Sequence, residues 1–346
     1  IEGGIQVEDP NSLTIYGQSE GTGQLTATGS GGAAAGIGGD AGIGGNGGNS
    51  RDGGNGGSVT IHGGTVTAIG GSGKNGGGAG IGGGGGGAES YHTGYKGGSS
   101  QSVIIYGGTV NATGGNSGSN TTDERGGGGA GIGGGGAGGI SESNTIDGTV
   151  LIYSGTVNAI GGASYNFDGG SGIGGSQVTI YNGYVDATGG SGGTTAINSI
   201  SRGIYSGAGI GGDNSIVTIH NGAVKATSGS CGFSGTAGIG GNGSTVTIKG
   251  GIVTADGGKS GSAGIGGDNS TVTIYDGTVT ANGGQHDTNN SGGGAGIGGD
   301  GGSIDDDGGG NAGIVTIHGG TVIATGGGNG GAGIGGGGGF ESGGNG

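Results

Sequence analysis

The stretch Val246-Thr247-Ile248-Lys249-Gly250-Gly251-Ile252-Val253-Thr254-Ala255 leads, through a short spacer, to Ala263-Gly264-Ile265-Gly266-Gly267, and the pattern restarts at Val272. In an extended chain alternate side chains share a face. Val246 and Ile248 therefore point one way, Thr247 and Lys249 the other. Beyond the glycine turn, Val253 and Ala255 face inward while Ile252 and Thr254 face outward. Ile265 is the single large residue of the third run. One 26-residue unit thus supplies three short strands and about five inward side chains.

The same unit starts at Leu13, Val59, Val103, Val150, Val178, Val217, Val246, Val272 and Val315, giving nine copies spaced 26 to 47 residues apart. No copy can bury its apolar face alone, whereas stacked copies make one continuous interior. The expected fold is all-β: a right-handed parallel β-helix of nine coils, a single solenoid domain spanning residues 1–346. Coils ~4.8 Å apart would make a rod roughly 40 Å long. The chain contains no methionine and opens on Ile1, which reads as a segment of a larger or processed protein.

Glycine supplies 120 of the 346 residues, with one proline and no Gly-X-Y period, so the chain is not collagen. In a β-helix glycine serves turns with positive φ and lets the third face approach its neighbours closely. Alternatively, long tracts such as Gly82 to Gly87 form polyglycine-II helices in a bundle. The strand character of the Val-Thr-Ile runs favours the β-helix. Net charge is −15, with only eight Lys and Arg. Nothing resembles a basic stripe, so nucleic acid is not an expected partner. No run of 18 apolar residues exists, so no membrane insertion is expected. Cys231 is the only cysteine and makes no internal disulfide.

Three outward features are candidates for function. The position after each Val-Thr-Ile reads Tyr16, His62, Tyr106, Tyr153, Tyr181, His220, Lys249, Tyr275, His318. Such a column is either a ladder that stabilises stacking or a flat contact strip for sugars or another protein. The second feature is the edge formed where insertions crowd together in the first three copies, with Tyr91, His92, Tyr95 and Lys96 as contact candidates. The third is the acidic position after the third strand: Asp40, Asp213, Asp268 and Asp300, with Asn242 in the same place. Asp213, Asn242 and Asp268 could hold calcium with glycine carbonyls, or simply start an Asp-Asn-Ser turn. Calcium is the one cofactor the pattern suggests, and no other is expected.

The pattern Gly-Ala-Gly-Ile-Gly-Gly, spacer, Val-Thr-Ile-X-Gly-Gly-Thr-Val-X-Ala resembles glycine-rich repeats of large secreted and surface proteins of Gram-positive bacteria. More loosely, it is similar to a bacterial β-helical family described as carbohydrate-binding and associated with acidic plant polysaccharides and calcium. The resemblance runs from Leu13 to Gly339. It implies the coil, but no ligand motif matches residue by residue, so no glycan specificity is carried over.

Polysaccharide-cleaving β-helices carry paired carboxylates and an arginine on one face. Here Arg51, Arg125 and Arg202 all fall in insertions, and Asp186 is the clearest strand-face acid. No spacing suits acid/base chemistry. Ice binding would want regular Thr-X-Thr pairs, and only Thr65/Thr67 and Thr278/Thr280 complete one on the second strand. The sequence therefore predicts a non-enzymatic extracellular or cell-surface rod, structural or adhesive, able to associate end to end or side by side. A polysaccharide-binding module is the alternative.

Overall fold

Each Val-Thr-Ile run forms a four-residue strand, such as Ser58–Ile61. The run after the turn forms a five-residue strand, Thr65–Ile69, and the third element contributes Ile81–Gly82. In the computed structural model these strands stack in parallel on their counterparts in neighbouring coils. The structure describes the chain except residues 19–20, 31–32, 40–51, 91–92, 119–125, 137–147, 166, 194–204, 232–234, 260, 286–291, 303–307, 340–342 and 346. Asp40, Arg51, Tyr91, His92, Arg125 and Arg202 lie outside the described residues.

First strands build a nine-stranded sheet from Ser12–Ile15 to Ile314–Ile317, and second strands a ten-stranded sheet from Glu2–Gly3 to Thr321–Thr325. Third strands form two four-stranded sheets, joined by single bridges through Ile173 and Ile210. The chain is thus a parallel β-helix. Glu2–Gly3 and Ile5–Gln6 add a partial turn ahead of the first coil, pairing with Thr28–Gly29 and Ile37–Gly38; the repeat pattern alone does not reveal it.

Register is the same from coil to coil. Val59 pairs with Val103 and Val103 with Val150, so like stacks on like. In the second coil Val59, Ile61, Val66, Ala68 and Ile81 are all essentially inaccessible to solvent, the five inward side chains the alternation predicts. The turn between first and second strands closes on a positive φ, 79° at Gly64, and its equivalents are all glycine, from Gly108 to Gly320. That dihedral strains any residue with a Cβ.

Most of the glycine lies elsewhere, in a layer beside the third face. The amides of Gly77, Gly80, Gly83 and Gly86 donate to carbonyls of Gly127, Ala130, Gly133 and Gly136 on the next coil. The amides of Gly84 and Gly85, in between, turn to Gly54 and Ala33. The same step recurs where Gly296, Gly299 and Gly302 donate to Ala332, Gly335 and Gly338. The strand reading holds for the Val and Ile runs, and the glycine segments beside the third face are tied by backbone hydrogen bonds to several neighbouring segments.

A second hydrogen-bond chain ties this layer together. It passes from Gly71 to Ala34, Gly78 to Gly71, Gly115 to Gly78, Gly129 to Gly115 and Gly162 to Gly129, and continues to Gly229, at 2.7–3.0 Å per step. Segments leaving the second strand alternate with segments entering the third. Buried backbone groups must find partners, and here they find other backbone.

Candidate functional site: the outer aromatic column and the acidic corner

A column of equivalent positions on a parallel sheet repeats at the inter-strand spacing, so planar side chains placed there meet face to face. Ring centroids are 4.7 Å apart for Tyr16 and His62, 4.8 Å for His62 and Tyr106, and 4.9 Å for Tyr106 and Tyr153. Tyr153 and Tyr181 follow at 4.6 Å, then Tyr181 and His220 at 4.8 Å. Lys249 interrupts the series, and Tyr275 and His318 resume it at 4.8 Å. The structure thus brings all eight aromatic candidates into one column as two stacked runs.

This stacking changes what the column offers. Interplanar angles of 4° to 22° mean that each inner ring has both faces covered by its neighbours. Solvent meets ring edges and polar tips, not the π faces that stack on a sugar. Exposure follows the same logic. Tyr153 and Tyr181, covered on both sides, are 36% and 37% exposed, whereas Tyr275, beside the break, is 50% exposed. Repeat spacing predicts the column, but the closed ring faces follow from side-chain orientation, which the repeat does not carry. Burial and the adjoining tyrosines push the Tyr153 phenol above its ordinary pKa, and partial burial with the nearby Lys249 ammonium lowers His220.

At the insertion edge of the second copy, Ala88–Ser90 and Thr93–Gly94 pair antiparallel. Tyr95 is half-buried and Lys96 exposed. The Lys96 amide donates to Asp52 Oδ1 at 2.9 Å, and its carbonyl accepts from Gly53 at 2.8 Å. These contacts knit the insertion to the preceding one, while Tyr91 and His92 fall outside the described residues.

The acidic corner is also a ladder. Asn242 N–H donates to Asp213 Oδ1 at 2.8 Å, Asp268 N–H to Asn242 Oδ1 at 2.7 Å, and Asp300 N–H to Asp268 Oδ1 at 2.9 Å. Asp300 Oδ1 accepts in turn from Ala263 N–H. These oxygens point at amides one coil away, and no group of three or more His, Cys, Asp or Glu gathers as a metal site among the described residues. The donor set fits hydrogen bonding between coils better than calcium. The residues after Asp213 and Asp268 adopt the left-handed conformation, Asn214 at φ 57° and Asn269 at 55°, and Ser215 and Ser270 are fully buried. This is the Asp-Asn-Ser turn.

Sequence reasoning missed Asp168, which accepts from Tyr205 N–H at 2.8 Å. Burial, reinforced by Asp213, raises its pKa to about 7, and burial with the Asp268 carboxylate raises Asp300 well above the ordinary value. Burial likewise raises Asp213. A carboxyl whose pKa is higher in the folded state binds protons more tightly there, so stability falls as pH rises through the interval between the two values. Denaturant midpoints are expected to be highest near pH 4 and to decline toward pH 7, with Asp168→Asn flattening the decline. A midpoint that climbs over that interval would contradict the assignment.

Four of the nine coils match the Beta helix repeat family. The matched segments are residues 217–244, 246–269, 272–303 and 315–338. No curated protein and no solved structure matches the chain. The four segments are the sixth to ninth coils, and register extends the same architecture to the rest.

Proposed function

We propose that the chain is a non-enzymatic structural shaft of an extracellular, bacterial-surface protein. The observation that carries this reading is the unbroken register of two sheets through all nine coils. A stack hydrogen-bonded along its whole length resists bending and compression, and its aromatic and acidic columns are filled by groups that stack on or bond to one another. Strand-face carboxylates stand singly: Asp186 lies between Asn158 and Lys225, and Asp256 between Thr227 and Asn282. End-to-end association belongs to the same reading, because identical register from coil to coil lets a coil of one copy stack on a coil of another. Electron microscopy of the purified chain is expected to show straight rods that lengthen by whole multiples as concentration rises. Rods of one length at every concentration would remove the association, and globular particles would remove the shaft.

One observation favours a second reading, polysaccharide binding. At the Lys249 break the Tyr275 ring has only one stacked partner, His318. If sugars stack on this protein, Tyr275→Ala should abolish retention on a polysaccharide array and Tyr153→Ala should leave it intact.

A further inference from the structure

Tyr106, Tyr153 and Tyr181 are three consecutive tyrosines in the ladder, stacked at 4.9 and 4.6 Å with interplanar angles of 12° and 4°. Rings this close and this parallel bring the carbons of neighbouring phenols near one another, so small side-chain rotations suffice to join them. All three rings are 36–42% exposed, open to a surface oxidant. Their chain separations, 47 and 28 residues, mean that a bond between them would close a loop spanning one coil boundary.

We propose that this triplet is an oxidative cross-linking site, at which a peroxidase-type oxidant joins neighbouring coils through dityrosine. Each phenol gives up one electron and its hydroxyl proton. The two ring radicals join by a new bond between ortho carbons, and the hydrogen on each of those carbons then moves to oxygen, restoring both phenols. The protein loses two electrons and two protons, which convert one hydrogen peroxide to two waters. The chemistry stands apart from the shaft reading, although a shaft would gain from the cross-link, because each bond limits the separation of adjacent coils in the unfolded chain.

The chain carries its own control. Tyr184 is 44% exposed but sits on the second strand between Thr156 and Ala223, with no tyrosine beside it in the sheet. It stands outside the ladder and has no stacked phenol.

The test treats the dilute chain with a haem peroxidase and hydrogen peroxide. Absence of tryptophan leaves dityrosine emission unobscured. The expected product is a monomer lighter by two hydrogens, formed at a rate independent of protein concentration. Its digest should join the Tyr153 peptide to that of Tyr181 or Tyr106. Tyr153→Phe keeps a ring in the stack but separates the remaining tyrosines by two coils, and should lower the monomeric product at least tenfold. Tyr184→Phe should leave it unchanged. Cross-links found only between molecules, or a monomeric product undiminished in Tyr153→Phe, would overturn the proposal. Neither result bears on whether the chain is a shaft, which electron microscopy decides separately.

Discussion

Gly162→Ala is expected to destabilise the chain by at least ~3 kcal/mol, at the upper end of what overpacking costs, while Gly63→Ala should be neutral or stabilise by ~0.5 kcal/mol. A Cβ built on Gly162 would lie 2.0 Å from the Gly115 carbonyl oxygen and 2.6 Å from its carbon. Both atoms belong to backbone fixed by hydrogen bonds, so neither can rotate away as a side chain would. The same position holds Gly71, Gly115, Gly190, Gly229, Gly258, Gly284 and Gly327, and each missing Cβ would point at the carbonyl one coil earlier. Only the first coil departs, with Ser30. Around Gly63, by contrast, a Cβ would meet nothing closer than 3.8 Å, and Ser154, Asn182, Asn221 and Asp276 occupy its equivalents. Urea midpoints for the two variants check the contrast. Equal shifts would mean that these glycines serve loop freedom and not chain packing.

That contrast marks the boundary of what could be read from the residues. Strand period and repeat spacing were enough for the three faces, because Val246, Ile248, Val253, Ala255 and Ile265 could be assigned inward by alternation alone. The aromatic column was legible too, since equivalent positions in a stacked repeat must align. Its closed ring faces were not, because they depend on side-chain orientation. Glycine was harder still. A glycine at a positive-φ turn such as Gly64 and one in the layer such as Gly162 look identical in sequence. Only neighbours brought together by folding distinguish a residue that must bend from one that must leave room. Asp168 was missed for a related reason: its amide partner, Tyr205, is 37 residues away.

The second large effect should separate the middle of the rod from its end. Ile173→Ala is expected to cost ~2–5 kcal/mol, as for other fully buried large-to-small changes, and Ile334→Ala no more than ~1 kcal/mol, since much of its area is already in water. Ile173 is inaccessible and bridges Ile132 on one side and Ile210 on the other; Ile334, in the last coil, is 48% exposed. Collapse around a cavity at Ile173 is hindered because backbone hydrogen bonds from Ile132 to Gly172 and from Ile173 to Gly209, 3.0 and 2.9 Å long, hold adjacent coils at fixed spacing. The site is also weak already, being where the third-face sheets meet through single bridges. In a linear array each coil contacts mainly its two neighbours, so a weak central coil uncouples the halves on either side. Unfolding of the Ile173→Ala chain should therefore broaden or split into two transitions, visible by tyrosine fluorescence in guanidinium. Hydrogen exchange should show protection lost outward from the fourth coil. For Ile334→Ala the transition should stay as sharp as in the parent, with faster exchange confined to the last coil. Similar midpoint shifts for both variants, each with one sharp transition, would show that the rod folds as one cooperative unit and not as a chain of nearest-neighbour contacts.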